Sequence, residues 1–399
     1  MNTPTHDDPP LAGLKVLDFT RVLAGPFCTA MFADAGAQVF KVEPFDGDDY
    51  RHMGFQVQGR STNFAFVNRG KHSLRMNLKS PSAARIIDRL ARWADVVVEN
   101  FKPGVADRLG IGYERLSALN PGLIYCSISG FGQQGTWADR PAYDTIIQAL
   151  SGLMAANGHP DGPPTVVGES LADVSAGMFG AWGIMAALWQ RSQTGRGRHL
   201  DIAMYDCLVS MMPTLVSRVV AGGAECVRVG NRHLNSAPFG AFRAVDGMYV
   251  LAVANQKLFQ QLADAMGQPA LARDARFASN ALRKKNEAAL AETIERWSGA
   301  MTVEQAVAAL QAHDVPAAPV LDVRQSVATP YATERGLVRT HELDGGGTAC
   351  HVEQPVRFGN LPRRGTAPAP ELGIHTQAIL RELGFAEQDI LVFRNEGLI

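Results

Sequence analysis

The chain has 399 residues, 46% of them hydrophobic and 19% charged, with a formal net charge of −1. That length accommodates two or three ordinary domains, and the composition excludes a disordered chain. The near-neutral balance, free of like-charge blocks, removes the usual footprint of nucleic-acid or anionic-membrane binding. From the N-terminus, the first 200 residues alternate strand and helix signals. "KVLDF" (15–19), "QVFKVE" (38–43), "DVVVENF" (95–101), "GLIYCSIS" (122–129) and "HLDIAM" (199–204) read as strands. Helical patterns separate them at 25–37, 80–94, 114–120 and 176–190, the second opening with Ser80 at the cap and Pro81 just inside. A further helix is expected over 204–220. This alternation predicts a parallel sheet with helices on both faces.

Beyond residue 222 the texture changes. "AFRAVDGMYVLAVAN" (241–255) reads as a hairpin turning at Asp246-Gly247, followed by helices at 256–267, 286–299 and 302–312. A Pro- and Gly-rich stretch (351–373) precedes a last amphipathic helix at 374–384 that closes the chain. The expected fold is α/β: a large Rossmann-like domain from 1–200 and 340–399, linkers at 201–224 and 326–339, and a smaller α+β domain at 225–325. The five cysteines (Cys28, Cys126, Cys207, Cys226, Cys350) are scattered, with no Cys-x-x-Cys, and are expected to be reduced, buried thiols. No histidine pair has metal-ligand spacing, so no metal is expected. "MNTPTHDDPP" lacks the basic region and apolar run of a signal peptide, so a cytoplasmic location is expected. The longest apolar run, 176–189, is shorter than the ~20 residues of a membrane span and reads as a buried helix.

"GFGQQG" (130–135) spells G-x-G-x-x-G directly after a strand. A dinucleotide fingerprint also needs a helix opening within the glycines and an acid ~20 residues on. "TWADRPAYD" follows instead, and position 155 is Ala. NAD binding is therefore not expected, and a tight turn accounts for the glycines.

Three longer stretches carry more information: 11–51, 96–135 and 161–206. Their spaced blocks "LDFTRVLAGP", "VENFKPG", "SGFGQQG" and "LADVSAG" jointly resemble the class III CoA-transferase (CaiB/BaiF) family, which includes formyl-CoA transferase, carnitine CoA-transferase and α-methylacyl-CoA racemase. The resemblance spans nearly the whole chain. It implies acyl-CoA:carboxylate CoA transfer, with coenzyme A thioesters as substrate, no metal and no NAD, and an interlocked homodimer. It makes the glycine loop part of a CoA site.

The family's nucleophilic aspartate falls on Asp173. A carboxylate is suited to this role because it splits one exchange into two easier acyl transfers. Asp173 also precedes a long apolar helix, whose N-terminus favours the ionised form, although Asp is equally a common cap. Glu169, four residues earlier, is expected to be structural. The CoA contacts that the resemblance implies fall on Leu23, Ala24, Met76, Asn77, Leu78, Lys79, Asn100, Phe101, Lys102 and Arg108, with Tyr143 and Asp144 also counted in the binding site. Lys and Arg suit the phosphates, and Phe101 and Met76 could wall an apolar slot for the adenine.

The sequence departs from formyl-CoA transferases at Leu23, Pro44 and Pro141, where they carry Gln, a basic residue and Lys. It also lacks their glycine-rich lid within 225–325, where Asn255 and Gln256 are speculative polar replacements. The family's racemases pair the aspartate with a histidine; here the slot holds Tyr143, whose ordinary pKa of ~10 makes it a poor base. Asp144 beside it is expected near Asp173, as a positioning residue or a helix cap, and two close carboxylates raise one pKa. Succinyl-CoA with a small carboxylic acid is the expected substrate pair. The alternatives are an acyl-CoA racemase or isomerase, or a CoA-binding protein without turnover.

Overall fold

The computed structural model describes residues 8–342, 348–359 and 366–399. The chain divides into two compact units, one of Met1–Leu153, Val166–Ala224 and Tyr331–Ile399, the other of Met154–Thr165 and Glu225–Pro330.

The first unit is built on six parallel strands: β1 (Lys15–Asp18), β2 (Gln38–Glu43), β3 (His72–Arg75), β4 (Val96–Glu99), β5 (Ile124–Ser129) and β6 (Arg198–Ala203). Their order is β3-β2-β1-β4-β5-β6, the doubly wound Rossmann arrangement. Five strands lie where the apolar runs put them. The edge strand β3, "HSLR", has no apolar run to announce it, because three of its four residues are polar. Two apolar cores cover the two faces. One contains Val16, Val39, Val96 and Ile124 under α1 (Ala24–Asp34). The other contains Leu17, Phe40, Val97 and Tyr125 under α2 (Ala83–Trp93) and α3 (Tyr113–Leu119). α2 buries Ala83, Ile86, Ile87, Leu90 and Ala91, a spacing of three and four that forms one stripe; it begins three residues after Ser80.

A short helix, α4 (Asp144–Ser151), precedes the long helix α5 (Leu171–Thr194). α5 spans 24 residues and by length and composition could cross a membrane. It is not the wholly buried helix expected. Ala172, Ala176, Gly180, Ile184 and Ala187 pack inward. Met178, Trp182, Met185 and Trp189 form an exposed stripe, the two tryptophans 71% and 72% exposed. The single helix expected over 204–220 is broken: Met204–Ser210 ends before Pro213, which cannot supply an N–H to continue it. The expected linkers 201–224 and 326–339 thus contain helices and strand residues. A helix at Glu387–Asn395 follows the one at Thr376–Glu382, so the latter does not close the chain. Cys28, Cys126 and Cys207 are buried, but Cys226 and Cys350 are exposed.

The second unit packs helices Gln256–Ala265, Glu287–Ser298 and Val303–Gln311 on an antiparallel sheet of Phe239–Ala244, Gly247–Ala252 and Ala317–Pro319. Phe242, Tyr249, Phe259 and Leu290 lie in its core. Asn255 caps the first helix by accepting the Leu258 N–H, and Gln256 Oε1 accepts from Arg283 at 2.7 Å.

Candidate active site

Asp173 sits in the first turn of α5, and the start of that helix is fixed from outside. Asp144, the first residue of α4, accepts the Ala172 N–H at 2.7 Å with one carboxylate oxygen. Its other oxygen accepts from Gln148 Nε2 at 2.7 Å, and Gln148 Oε1 accepts the Val167 N–H at 2.9 Å. Asp144 is thus a cap of α5, while Gln148 holds the segment leading to it. Glu169 accepts the Ser170 N–H at 2.9 Å, a local structural role.

Among the described residues no group donates a hydrogen bond to the Asp173 carboxylate. Burial, reinforced by the Asp144 charge, pushes its pKa up to about 7. Desolvation and this like charge oppose the helix N-terminus, which favours the ionised form. The group is poised near neutrality, where a carboxylate is both substantially ionised and more basic than usual.

One turn along α5 from Asp173 lies Gly177. A Cβ there would come within 2.7 Å of the Ala24 carbonyl, so only glycine lets the first turn of α1 approach so closely. The turn entering α1 is strained: Val22, a β-branched residue, has φ +64. Three side chains hold it. Asn100 Oδ1 accepts the Arg21 N–H and its Nδ2 donates to the Arg21 carbonyl, both at 2.8 Å. Asp48 accepts the Val22 N–H at 3.0 Å. Asp18 accepts from both the N–H and the hydroxyl of Thr20. Asn100 follows β4 and the strained turn follows β1. These neighbouring strands are where the strand order reverses, the place such sheets bind ligands.

Beneath the turn lies a buried charge network. Lys71 pairs with Asp18 at 2.9 Å and Lys41 with Asp48 at 2.8 Å. Arg51 grips Glu43 through two hydrogen bonds of 2.7 and 2.8 Å. Burial opposes the Asp18 charge, but Lys71 and Lys41 overcome it and hold the pKa at about 2.

On the opposite face Leu78, Lys79, Arg108, Leu109 and Arg115 line a cleft of about 340 Å³. Arg115 is committed to Asp88 at 2.5 Å. Lys79 and Arg108 are in no ion pair among the described residues. Their free cations beside apolar walls suit a phosphate-bearing nucleotide.

A family model described as CoA-transferase family III matches residues 11–376. The chain belongs to CoA-transferase family III. It is 44% identical to an acetyl-CoA:oxalate CoA-transferase of Acetobacter aceti, over 96% of this chain and 98% of that one. It is 37% identical to a succinate–glutarate CoA-transferase of Agrobacterium fabrum, over 95% and 97%. Among solved structures it resembles a CAIB/BAIF family protein from Brucella suis, with TM-score 0.84 and 37% identity over 94% of this chain and 99% of that one.

Within this CoA-transferase the residues expected at the site are distributed unevenly. Leu23 caps α1 and Ala24 begins it, both at the strained turn. Lys79, Leu78 and Arg108 share the cleft, and Lys102 is exposed. Asn77 accepts the Lys79 N–H at 3.0 Å, shaping that turn. Phe101 is half-buried; its N–H donates to Glu99, and Arg21 lies 5.6 Å over its ring. Met76 has no exposed surface and packs in the core, so it does not wall a slot. The Asn100 side chain is spent on Arg21. Tyr143 is 75% exposed and caps α4. In the glycine loop, Gly132 and Gly135 have φ of 85 and 106, and Asp201 accepts the Gln133 N–H at 2.9 Å. No local pattern in the sequence marks Asp48, or the Lys41–Asp18–Lys71 network as a whole. The one available signal was Lys41 and Glu43 alternating with apolar residues on a central strand.

Proposed function

We propose that this CoA-transferase moves CoA from an acyl-CoA to a small carboxylic acid through covalent intermediates on Asp173. An Asp173 oxygen attacks the thioester carbonyl, the C–S bond breaks, and CoA thiolate leaves a mixed anhydride. The thiolate attacks the aspartyl carbonyl, and the C–O bond of the anhydride breaks. The donor acid is released, leaving an aspartyl-CoA thioester. An incoming carboxylate reverses both steps and departs as the new CoA ester, returning Asp173. The observation that carries this reading is a half-buried carboxylate with no hydrogen-bond donor among the described residues, at a helix start held from outside. A carboxylate tied up by donors or a cation would be a weaker nucleophile.

The names of the relatives support acetyl-CoA or succinyl-CoA as donor and a small dicarboxylate such as oxalate or glutarate as acceptor. Lys79 and Arg108 are the residues to meet CoA phosphates, with Leu23, Ala24 and the Asn100–Lys102 loop along its path. Tyr143 in place of a histidine supports transfer over racemisation. We also assign the exposed Met178, Trp182, Met185 and Trp189 stripe to a homodimer interface, because contiguous apolar surface of this kind is rarely left in water.

The test uses purified protein in deuterated buffer with acetyl-CoA or succinyl-CoA and a panel of free acids, every CoA ester being weighed. A new ester matching an added acid supports the reading, and Asp173→Asn is expected to make none. A one-dalton gain on the original ester without exchange would replace transfer by Cα proton chemistry.

A further inference from the structure

We propose that Glu99 is a positioning residue for coenzyme A: its buried carboxylate holds the Asn100–Lys102 loop, and through Asn100 the turn at Val22, in the shape that receives the ligand. This rests on the CoA-binding reading above and adds to it a residue that sets CoA affinity without touching the coenzyme.

Glu99 is the last residue of β4 and is only 2% exposed. One of its oxygens accepts the Phe101 N–H, two residues on, at 2.8 Å. Asp18, at the end of the neighbouring β1, grips its own loop in the same way and accepts the Thr20 N–H at 2.8 Å. Asn100, between Glu99 and Phe101, ties the two loops together. It accepts the Arg21 N–H and donates to the Arg21 carbonyl, both at 2.8 Å, and the Arg21 guanidinium lies 5.6 Å over the Phe101 ring. The strained Val22 comes next, then Leu23 and Ala24, whose carbonyl packs against Gly177 of α5. On the other side, the Phe101 ring packs on the same core as Leu78 and Leu109, which line the cleft with Lys79 and Arg108. The Glu99 hydrogen bond thus sits between the cleft and the turn, the two places assigned to the coenzyme.

Glu99 and Asp18 differ in their company. Asp18 has Lys71 at 2.9 Å, whereas among the described residues no cation pairs with Glu99. On the Glu99 face of the sheet, the β1 side presents Leu17 and Phe19, both apolar. By register β5 presents Tyr125 and Ser127 there, and β6 presents His199 and Asp201. Tyr125 donates to the Ile111 carbonyl at 2.9 Å, and Ser127 Oγ lies 2.9 Å from His199 Nε2. Burial holds the His199 pKa below its ordinary value, so the ring is neutral above pH 7. Asp107 belongs to the short helix Val105–Arg108 that follows the loop. Burial pushes the Glu99 carboxyl up to about 7; Ser127 and the Phe101 N–H oppose the rise, and Asp107 and Asp201 reinforce it. Glu99 therefore changes charge in the neutral range. A charged acceptor holds a backbone N–H roughly twice as strongly as a neutral one, so the loop is held more firmly once Glu99 is ionised.

The experiment is calorimetric titration of free CoA, from about pH 6 to about pH 8.5, into Asp173→Asn and into the double variant Asp173→Asn/Glu99→Gln. Neither protein has an Asp173 to titrate, and the glutamine keeps an oxygen for the Phe101 N–H but cannot ionise. The phosphate monoester of CoA titrates near pH ~6, but equally for both proteins, so the ratio of their dissociation constants reports Glu99 alone. The two are expected to agree within about twofold at the acid end, and the double variant to bind roughly 5-fold more weakly at the alkaline end. A ratio independent of pH, or tighter alkaline binding by the double variant, overturns the proposal. Dephospho-CoA, which lacks the titrating phosphate, is measured on Asp173→Asn as well. Its affinity is expected to rise roughly 5-fold over the same range, and a flat profile overturns the proposal even should the double variant not fold. CoA binding at a constant ratio sinks this inference alone. No CoA binding by the unaltered protein at any pH overturns the CoA-binding reading with it.

Discussion

Asp18, fully buried, and Asp173, half-buried, are both carboxylates on the α1 side of the sheet, and they have opposite fates. Asp18 is enclosed completely, yet two lysines and two hydroxyls surround it and its pKa falls to about 2. Asp173 retains some access to solvent, yet among the described residues no cation pairs with it and no donor reaches it, and its pKa climbs to about 7. Burial acts in the same direction on both, so the partners decide the outcome. A fully partnered carboxylate is a structural charge that stays put. An unpartnered one beside a second acid is held in a state ready to react.

The contrast breaks most sharply at Asp173, the proposed nucleophile. Asp173→Asn is expected to lower CoA exchange by on the order of 10³-fold or more, read by ester mass. The same variant sharpens the stability contrast. The folded pKa of Asp173 lies above its unfolded value, so the folded state binds the extra proton between about pH 4 and 7. Stability is therefore lost as pH rises through that window. The neutral Asn is expected to stabilise the fold at pH 8 by on the order of 2 kcal/mol, a gain that vanishes near pH 4, measured by urea unfolding.

Removing a partner from the structural member has the opposite sign. Lys71→Met leaves Asp18 buried without its nearest cation and is expected to cost about 3–5 kcal/mol in the same unfolding measurement at neutral pH. In the unaltered protein the sign follows from a depressed folded pKa. The Asp18 contribution is present above about pH 4 and lost as pH falls toward 2, amounting to about 2 kcal/mol.

A smaller effect tests the coupling of Asp173 to Asp144. The rise of kcat/KM with pH is expected to report Asp173 ionisation near 7. Asp144→Asn keeps an oxygen for the Ala172 N–H but removes the charge, so the inflection is expected to move down by up to about one unit. An unmoved inflection would assign the whole elevation to burial. The smallest effect on folding is expected at the exposed stripe. Trp182→Lys is expected to change monomer stability by no more than about 0.5 kcal/mol. By light scattering it is expected to shift dimer toward monomer.

Much of the first unit was legible in the sequence because apolar runs and helical stripes are local. "VLDF", "VFKVE", "VVVE" and "IYCSIS" declare strands without knowledge of their neighbours. The turn character of the glycine loop was legible too, from the absence of a helix after it. β3 was hidden because its Ser73 is polar and yet buried, a combination that makes sense only once Glu43 is seen to accept its hydroxyl at 2.7 Å. The cap of α5 was half legible: Asp144 and Asp173 were both marked, but not that one carboxylate satisfies the backbone donor beside the other. Asn100 and Met76 were marked as ligand contacts, and no local pattern reveals that one grips a turn and the other fills a core.

The sequence by itself determined where five of the six parallel strands and the helices between them lie, and which aspartate stands at the head of the long helix, since periodicity and helix-start chemistry act over a few residues. Only the tertiary structure decided the charge state of that aspartate and the partners of every buried ion. Those depend on desolvation and on charges brought together from distant positions: residue 144 beside 173, and 71 beside 18.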